Sequence, residues 1–295
     1  SPLVYGWNSY LYAVRQQSLY GIGFDRKTEI WNSLPFGALA AFRGLSAYFQ
    51  KQQVSLKQIE CSTMHTLFLT ENGDVYGFGM NQWFECGCDS QMETVQIPTK
   101  LDFKQQRIVS VAVGSAHSLC LDSDGNLWCF GSNASGQLGI DPAEIKDKRM
   151  MKRSLPMINP YFAANAKNGG AAIKKIVCGY RVSIVLDEKL DCFTFGANND
   201  EQHHGYGQCG SSAQRELFVP HKISGLQIED ASNSKNHTVM LSRDNKIYTM
   251  GNNQALQCSS LLKDESNITY PYHLSQQEVG VDGYVNVQKA IALNG

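Results

Sequence analysis

Residues 117–139, "HSLCLDSDGNLWCFGSNASGQLG", hold two short runs of apolar, aromatic and β-branched residues on either side of Asp124-Gly125. Such a stretch reads as a β-hairpin, because Asp-Gly tolerates the positive φ that tight turns between strands demand. The glycine-rich tail from Gly131 to Gly139 could be taken for a phosphate cradle, since amides without side chains can approach an anion closely. Repetition decides against it. "DVYGFGMN", "DCFTFGAN", "KIYTMGNN" and, more loosely, "SLYGIGFD" restate "NLWCFGSN" elsewhere in the chain.

The marker glycines of these copies are Gly23, Gly79, Gly131, Gly196 and Gly251, spaced by 56, 52, 65 and 55 residues. Upstream of three of them, at one constant interval, stand His65, His117 and His237, with Ser9 and Val182 in the corresponding places of the other two. Three residues earlier comes a small residue: Gly6, Ser62, Gly114, Gly179 and Ser234. Five units share one internal ruler, covering approximately 1–58, 59–110, 111–175, 176–230 and 231–290.

Asn72-Gly73 and Asp244-Asn245 supply further hairpin turns. An apolar stretch precedes each small residue ("RIVSVAVG", "IKKIVCG", "LKQIECS"), and Pro98, Pro220 and Pro271 each open another short run. Proline suits an edge strand, where no ladder donor is needed. The unit is a four-stranded antiparallel sheet, which cannot bury both faces alone, so successive units must stack. Radial stacking makes an all-β propeller in a single domain.

The combination G-x-x-H-[ST]-L followed by D-G-x-[LV]-[YW]-x-[FW]-G-x-N-x-x-G-Q-L-G resembles the repeat of the regulator of chromosome condensation family. Residues 114–139 carry it almost throughout: Gly114, His117, Asp124, Gly125, Trp128, Gly131, Asn133, Gly136, Gln137 and Gly139. Asn81, Asn198 and Asn253 match Asn133, and Gln202 and Gln257 match Gln137. Glu85 replaces the glutamine once, and Phe84, Glu201 and Leu256 replace the middle glycine. The resemblance implies a seven-bladed ring. Five units averaging about 58 residues fall short of that, and the expectation is a piece of a longer protein.

Charge is balanced, 26 basic against 27 acidic residues, so no global field steers the chain toward nucleic acid or anionic lipid. No apolar run has the length of a membrane span. Nine cysteines, several inside strand-like runs, read as reduced thiols in an intracellular setting, cytoplasm or nucleus, with an organelle left open.

No catalytic constellation emerges. The three histidines recur once per unit and are held apart by the repeat, which makes them structural. "GYGQCG" at 205–210 follows a polar loop rather than a strand, against a dinucleotide site. His203, His204 and Cys209, or Cys86 with Cys88, lack the partners of a closed zinc site. Neither cofactor nor metal is expected. Two segments stand apart: the basic insertion with Lys146, Lys148, Arg149, Lys152 and Arg153, and "GMNQWFECG", where Trp83 and Phe84 replace small residues. Both are candidates for partner binding. Residues 36–52 have near-helical apolar spacing, as of a short helix packed on one end of the propeller.

These readings point to a non-catalytic scaffold that binds a protein through its blade-connecting loops. From the resemblance alone come two alternatives: nucleotide exchange on a Ran-like or other small GTPase, and a targeting domain of a ligase, kinase or ciliary protein. Chromatin or nucleic-acid contact has less support.

Overall fold

The computed structural model describes residues 3–7, 10–15, 18–25, 30–32, 45, 48–62, 64–88, 93–144, 152–199, 207–212, 214–275 and 278. They form five four-stranded antiparallel sheets in strict chain order. The first blade holds β1 (Leu3–Trp7), β2 (Tyr10–Arg15), β3 (Ser18–Asp25) and β4 (Ile30–Asn32). The second holds β5 (Leu56–Cys61), β6 (His65–Thr70), β7 (Val75–Met80) and β8 (Thr94–Lys100). The third holds β9 (Ile108–Val113), β10 (His117–Asp122), β11 (Leu127–Ser132) and β12 (Lys152–Ile158). The fourth holds β13 (Ile173–Cys178), β14 (Val182–Asp187), β15 (Cys192–Ala197) and β16 (Glu216–Ile223). The fifth holds β17 (Ile228–Asn233), β18 (His237–Ser242), β19 (Ile247–Asn252) and β20 (Asn267–His273).

Consecutive blades pack through their first and second strands, β5 against β9, β9 against β13 and β13 against β17. This sandwiching explains the middle strands: every residue of β10, β11, β14 and β15 is buried, because both faces of each sheet meet a neighbour. The outer strands β8 and β16 instead alternate between buried and exposed positions. One apolar cluster runs from Leu119 and Leu121 through Val185 and Phe195 to Met240 and Met250, joining the third, fourth and fifth blades. Another joins the second and third through Leu67, Val111, Trp128 and Phe130.

The hairpin turns sit where Asn-Gly, Asp-Gly and Asp-Asn stand, with Gly73, Gly125 and Asn245 at positive φ. A side-chain oxygen just before the turn closes it. Asp122 Oδ1 accepts the N–H of Asp124 at 3.0 Å and of Asn126 at 2.8 Å, and Asp187 Oδ1 accepts those of Lys189 and Asp191 at 2.9 Å. Each marker glycine lies opposite the first residue of the second strand: His65 pairs with Gly79, His117 with Gly131, Val182 with Gly196 and His237 with Gly251. In the first blade that residue is Tyr10, which pairs with Gly23, and not Ser9, which lies outside the described residues.

Leu45 and Phe49 are buried against Phe68 and Tyr76, with 48–51 helical; Leu39 and Phe42 lie outside the described residues. One helix, α1 (Pro160–Lys167), links the third and fourth blades, capped by Asn159 Oδ1 on Phe162 N and started by a proline. All nine cysteines are free thiols.

Candidate interaction site at the blade seams

Each seam is rebuilt from equivalent atoms. His65 Nε2 lies 2.7 Å from Ser118 Oγ of the next blade, and that hydroxyl donates to Glu85 O at 3.0 Å. His117 Nε2 lies 3.0 Å from Ser183 Oγ, which donates to Gln137 O at 2.7 Å. A hydroxyl has one proton, so its donation to the carbonyl leaves it an acceptor toward the ring, and both imidazoles carry hydrogen on Nε2. Burial holds both rings to a pKa of about 3, His117 adding to the effect at His65. In the fourth blade Val182 replaces the histidine, yet Thr238 Oγ1 still donates to Gln208 O at 2.7 Å. His65 and His117 are neutral struts between blades, with no face open to a substrate, whereas the His237 ring meets Ser234 Oγ of its own blade at 2.8 Å.

The receiving carbonyls belong to the tail that follows each third strand. Asn81, Asn133, Asn198 and Asn253 organise it: their Oδ1 atoms accept the N–H groups of Cys86, Leu138, Cys209 and Cys258 at 3.2, 3.0, 2.9 and 3.0 Å. Glu85, Gln137 and Gln257 close the same turn by accepting from Trp83, Ser135 and Ala255 at 2.7, 2.8 and 2.9 Å. In the fourth blade the position of Gln137 is taken by Gln208 and that of Gly136 by Gly207; Gln202 and Glu201 lie outside the described residues. Residues 207–210, the described part of the string "GYGQCG", are this blade's tail, and they stand later in the chain than the spacing of the other units expects. Burial raises the Cys86 and Cys209 thiols, their Sγ atoms donating to Met80 O and Ala197 O, so both behave as apolar filler.

The middle position of the tail separates the seams. Gly136, at φ +84, presses on the next blade so closely that a Cβ would sit 2.4 Å from Leu217 O; one on Gly207, at φ +75, would sit 2.4 Å from Thr269 Cα. Phe84 occupies the same turn at φ 62. Leu217 pairs with Gly196 and Arg153 with Gly131, so the backbone equivalent to Leu217 in the third blade is the start of β12. A benzyl group cannot sit where the other seams admit no Cβ. Here the second and third blades leave a groove of about 610 Å³ along the rim, lined by Gly87, Cys88, Val95, Ile97, Leu101 and Leu155 among others. Trp83, Ile97 and Leu155, exposed by 44%, 65% and 52%, are three of the eight exposed large hydrophobic residues among those described.

Lys152 and Arg153 open β12, paired with Ser132 and Gly131. Lys146, Lys148 and Arg149 lie outside the described residues. The β7–β8 connection, with Trp83 and Phe84, and the β11–β12 connection, with the basic segment, start from equivalent ends of neighbouring blades.

Sequence comparison matches the regulator of chromosome condensation (RCC1) repeat at residues 72–121 and 124–186, and a second description of that repeat at 108–137. Residues 72–186 carry regulator of chromosome condensation repeats. It is 32% identical over 174 residues to the Protein RCC2 homolog of Xenopus laevis, covering 55% of this chain and 33% of that protein. It is 27% identical over 237 residues to the Ultraviolet-B receptor UVR8 of Arabidopsis thaliana, covering 79% and 47%. The chain thus spans a third to a half of these curated relatives. Among solved structures, Prp20p of Saccharomyces cerevisiae, described with its binding to Gsp1p and histones, superimposes with a TM-score of 0.67 at 19% identity, over 92% of this chain and 65% of that one. This likeness supports the propeller fold. Among the described residues no helix is long and apolar enough to cross a membrane.

The regulator of chromosome condensation repeat also explains residues that sequence spacing left unremarked. In the outer strands of the second to fifth blades three residues oppose one at a bulge, and the third of them is proline: Pro98, Pro156, Pro220 and Pro271. The residue before it is pushed outward, which exposes Ile97, Leu155, Val219 and Tyr270. An apolar residue before an outer-strand proline is the signal that locates this row on the rim.

Proposed function

We propose that this propeller is a non-catalytic scaffold that binds a protein partner through the loops between third and fourth strands. One observation carries the reading: the polar side chains shared by the repeats are consumed in the seams and tails, whereas the Trp83 ring is exposed and the sequence of the β11–β12 connection is basic. Rigid repeats with variation confined to loops make a binding surface rather than a reaction centre. An exposed tryptophan is a residue type that anchors interfaces.

Capture on immobilised chain, followed by crosslinking and mass spectrometry, tests this. A partner whose crosslinks fall on 81–93 and 145–153, and whose capture is lost in Trp83→Ala, supports it. A chain that captures nothing and turns over a small molecule overturns it. A small GTPase is one partner the fold accommodates, and release of fluorescent GDP left unchanged by the chain would exclude an exchange reaction with the GTPase assayed.

A further inference from the structure

We propose that Cys86 and Cys88, which flank Gly87 in the tail of the second blade, form a redox site: hydrogen peroxide entering through the rim groove oxidises the pair to a disulfide. The inference stands on the two thiols and the groove, and it is independent of the scaffold reading.

The pair is held in one turn. Asn81 Oδ1 accepts Cys86 N at 3.2 Å, its Nδ2 donates to Cys88 O at 3.4 Å, and Gly87 N donates to Phe84 O at 3.0 Å. Cysteines two positions apart in a turn have Cα atoms roughly 5–7 Å apart, and a disulfide spans about 4.4–6.8 Å. Only a glycine fits between them: Gly87 has φ +71, and a Cβ there would sit 2.7 Å from Phe130 Cε2. At the corresponding places the third blade has Leu138 and Ile140, both turned into one apolar cluster. The fourth has Cys209 and Ser211, and the fifth has Cys258 and Ser260. Of these four tails the second alone carries two thiols.

Their surroundings assign the order of events. Cys88 is partly buried and lines the groove of about 610 Å³, whereas Cys86 is fully buried and its Sγ donates to Met80 O at 3.0 Å. Burial, with Cys88 adding to it, pushes the Cys86 thiol up, so the reaction starts at Cys88. The Cys88 thiolate attacks one oxygen of the peroxide and the O–O bond breaks; the departing hydroxide takes the proton the thiol gave up and leaves as water. Cys88 is then a sulfenic acid. The Cys86 sulfur attacks the Cys88 sulfur, the S–O bond breaks, and the hydroxyl leaves with the Cys86 proton as a second water. Peroxide is reduced to water and the two thiols are oxidised to one disulfide.

Closure draws Cys86 Sγ away from Met80 O. The carbonyl just before it, Glu85 O, is the one that receives Ser118 Oγ from the third blade. Oxidation therefore disturbs the second–third seam, and a bond formed against native contacts is readily reduced again.

The experiment uses the whole chain with Cys61 and Cys178, the other partly buried thiols, replaced by serine. The chain is treated with hydrogen peroxide, denatured, blocked with iodoacetamide and digested with trypsin, which releases residues 58–100 as one peptide. That peptide should be lighter by two hydrogens and carry no alkyl group, and dithiothreitol should restore both alkylation sites. Cys86→Ser should stop the reaction at a Cys88 sulfenic acid that dimedone traps, and Cys88→Ser should leave Cys86 fully alkylated. The oxidised chain should melt below the reduced one, a difference absent in Cys88→Ser.

Cys86 still alkylated at a peroxide dose that carries Cys88 to the sulfinic acid would overturn the pair, as would a Cys88 disulfide between two chains. So would full alkylation of both cysteines at a dose that oxidises glutathione. If Cys86→Ser fails to fold, the mass of the peptide from the chain with both thiols decides the matter alone.

Discussion

The seam between the third and fourth blades and the seam between the second and third use the same parts and end differently. In the former, Gly136 lets the two backbones touch, Gln137 folds the tail, and α1 covers the rim, with Phe162 packed edge-on against Phe193 at 5.5 Å. Asn159, the cap of α1, also donates to Leu138 O at 2.7 Å, tying the helix to the tail. In the latter, Phe84 stands at the glycine position, Glu85 at the glutamine position, and a turn at 101–107 replaces the helix. The third–fourth seam keeps a cavity of about 350 Å³ between α1 and Val219, and the second–third seam one of about 610 Å³ with no helix beside it. The lesson is that a repeat protein can vary the cavity at each joint through one tail residue and one connection while the bonds across the seams stay the same.

The most damaging way to break the comparison is to give the helix-covered seam the tail residue of the seam without a helix. Gly136→Phe forces a bulky side chain into a left-handed backbone with Leu217 O already 2.4 Å from a would-be Cβ. Strain and overpacking together predict a loss of about 3 kcal/mol or more. Urea unfolding reads it as a lower midpoint; an unchanged midpoint would mean that the blades separate there without cost.

Removing a strut comes next. His117→Ala leaves Ser183 and a cavity between blades, and about 2–3 kcal/mol should be lost. Ser183→Ala, which removes the hydroxyl from both His117 and Gln137 O, should cost roughly 1–2 kcal/mol. A double-mutant cycle between the two should show coupling, since they share one bond. Strict additivity would refute the strut.

Acid probes the same struts without substitution. His65 and His117 are neutral in the fold with pKa values of about 3, whereas an unfolded chain protonates histidine near pH 6.5. The unfolded state therefore binds protons first as pH falls. Stability from this source is full above pH 6.5 and drains between about 6.5 and 3. Between pH 7.5 and 5.5 each histidine should cost about 1.4 kcal/mol. Chemical unfolding across that window measures it, and His117→Gln should remove one histidine's share of the slope, leaving those of His65 and His237, which burial also lowers.

Much of the architecture was legible because each element has a local cause. Asn72-Gly73 and Asp124-Gly125 are hairpin turns by backbone geometry alone, and the marker glycines repeat because the facing histidine backbone leaves no room for a side chain. What stayed hidden needed a relation between distant residues. Gln208 escaped because a longer loop moves it out of register with Gln137, and Tyr10 because its turn is a residue short. The helix α1 is brief and weakly amphipathic, so only Asn159-Pro160 announces it. The groove lies between strands of two different blades, Ile97 on one side and Leu155 on the other, a relation that no spacing within one unit records.

The gentlest test reverses the first. Phe84→Gly should relieve roughly 1 kcal/mol of left-handed backbone cost and forfeit a similar amount from the half-buried ring, so stability should shift by less than about 1 kcal/mol in either direction. The informative readout is access. Cys88 lines the groove and is partly buried, while Cys86, behind it, is held as a thiol by burial. With Cys61 and Cys178 replaced by serine, the rate at which a thiol reagent modifies Cys88 reports the width of the seam. If Phe84 wedges the blades apart, glycine lets them close as they do at Gly136, and the rate should fall several-fold while the melting temperature barely moves. A rate equal to that of the parent would place the cause of the groove in the absent helix rather than in Phe84.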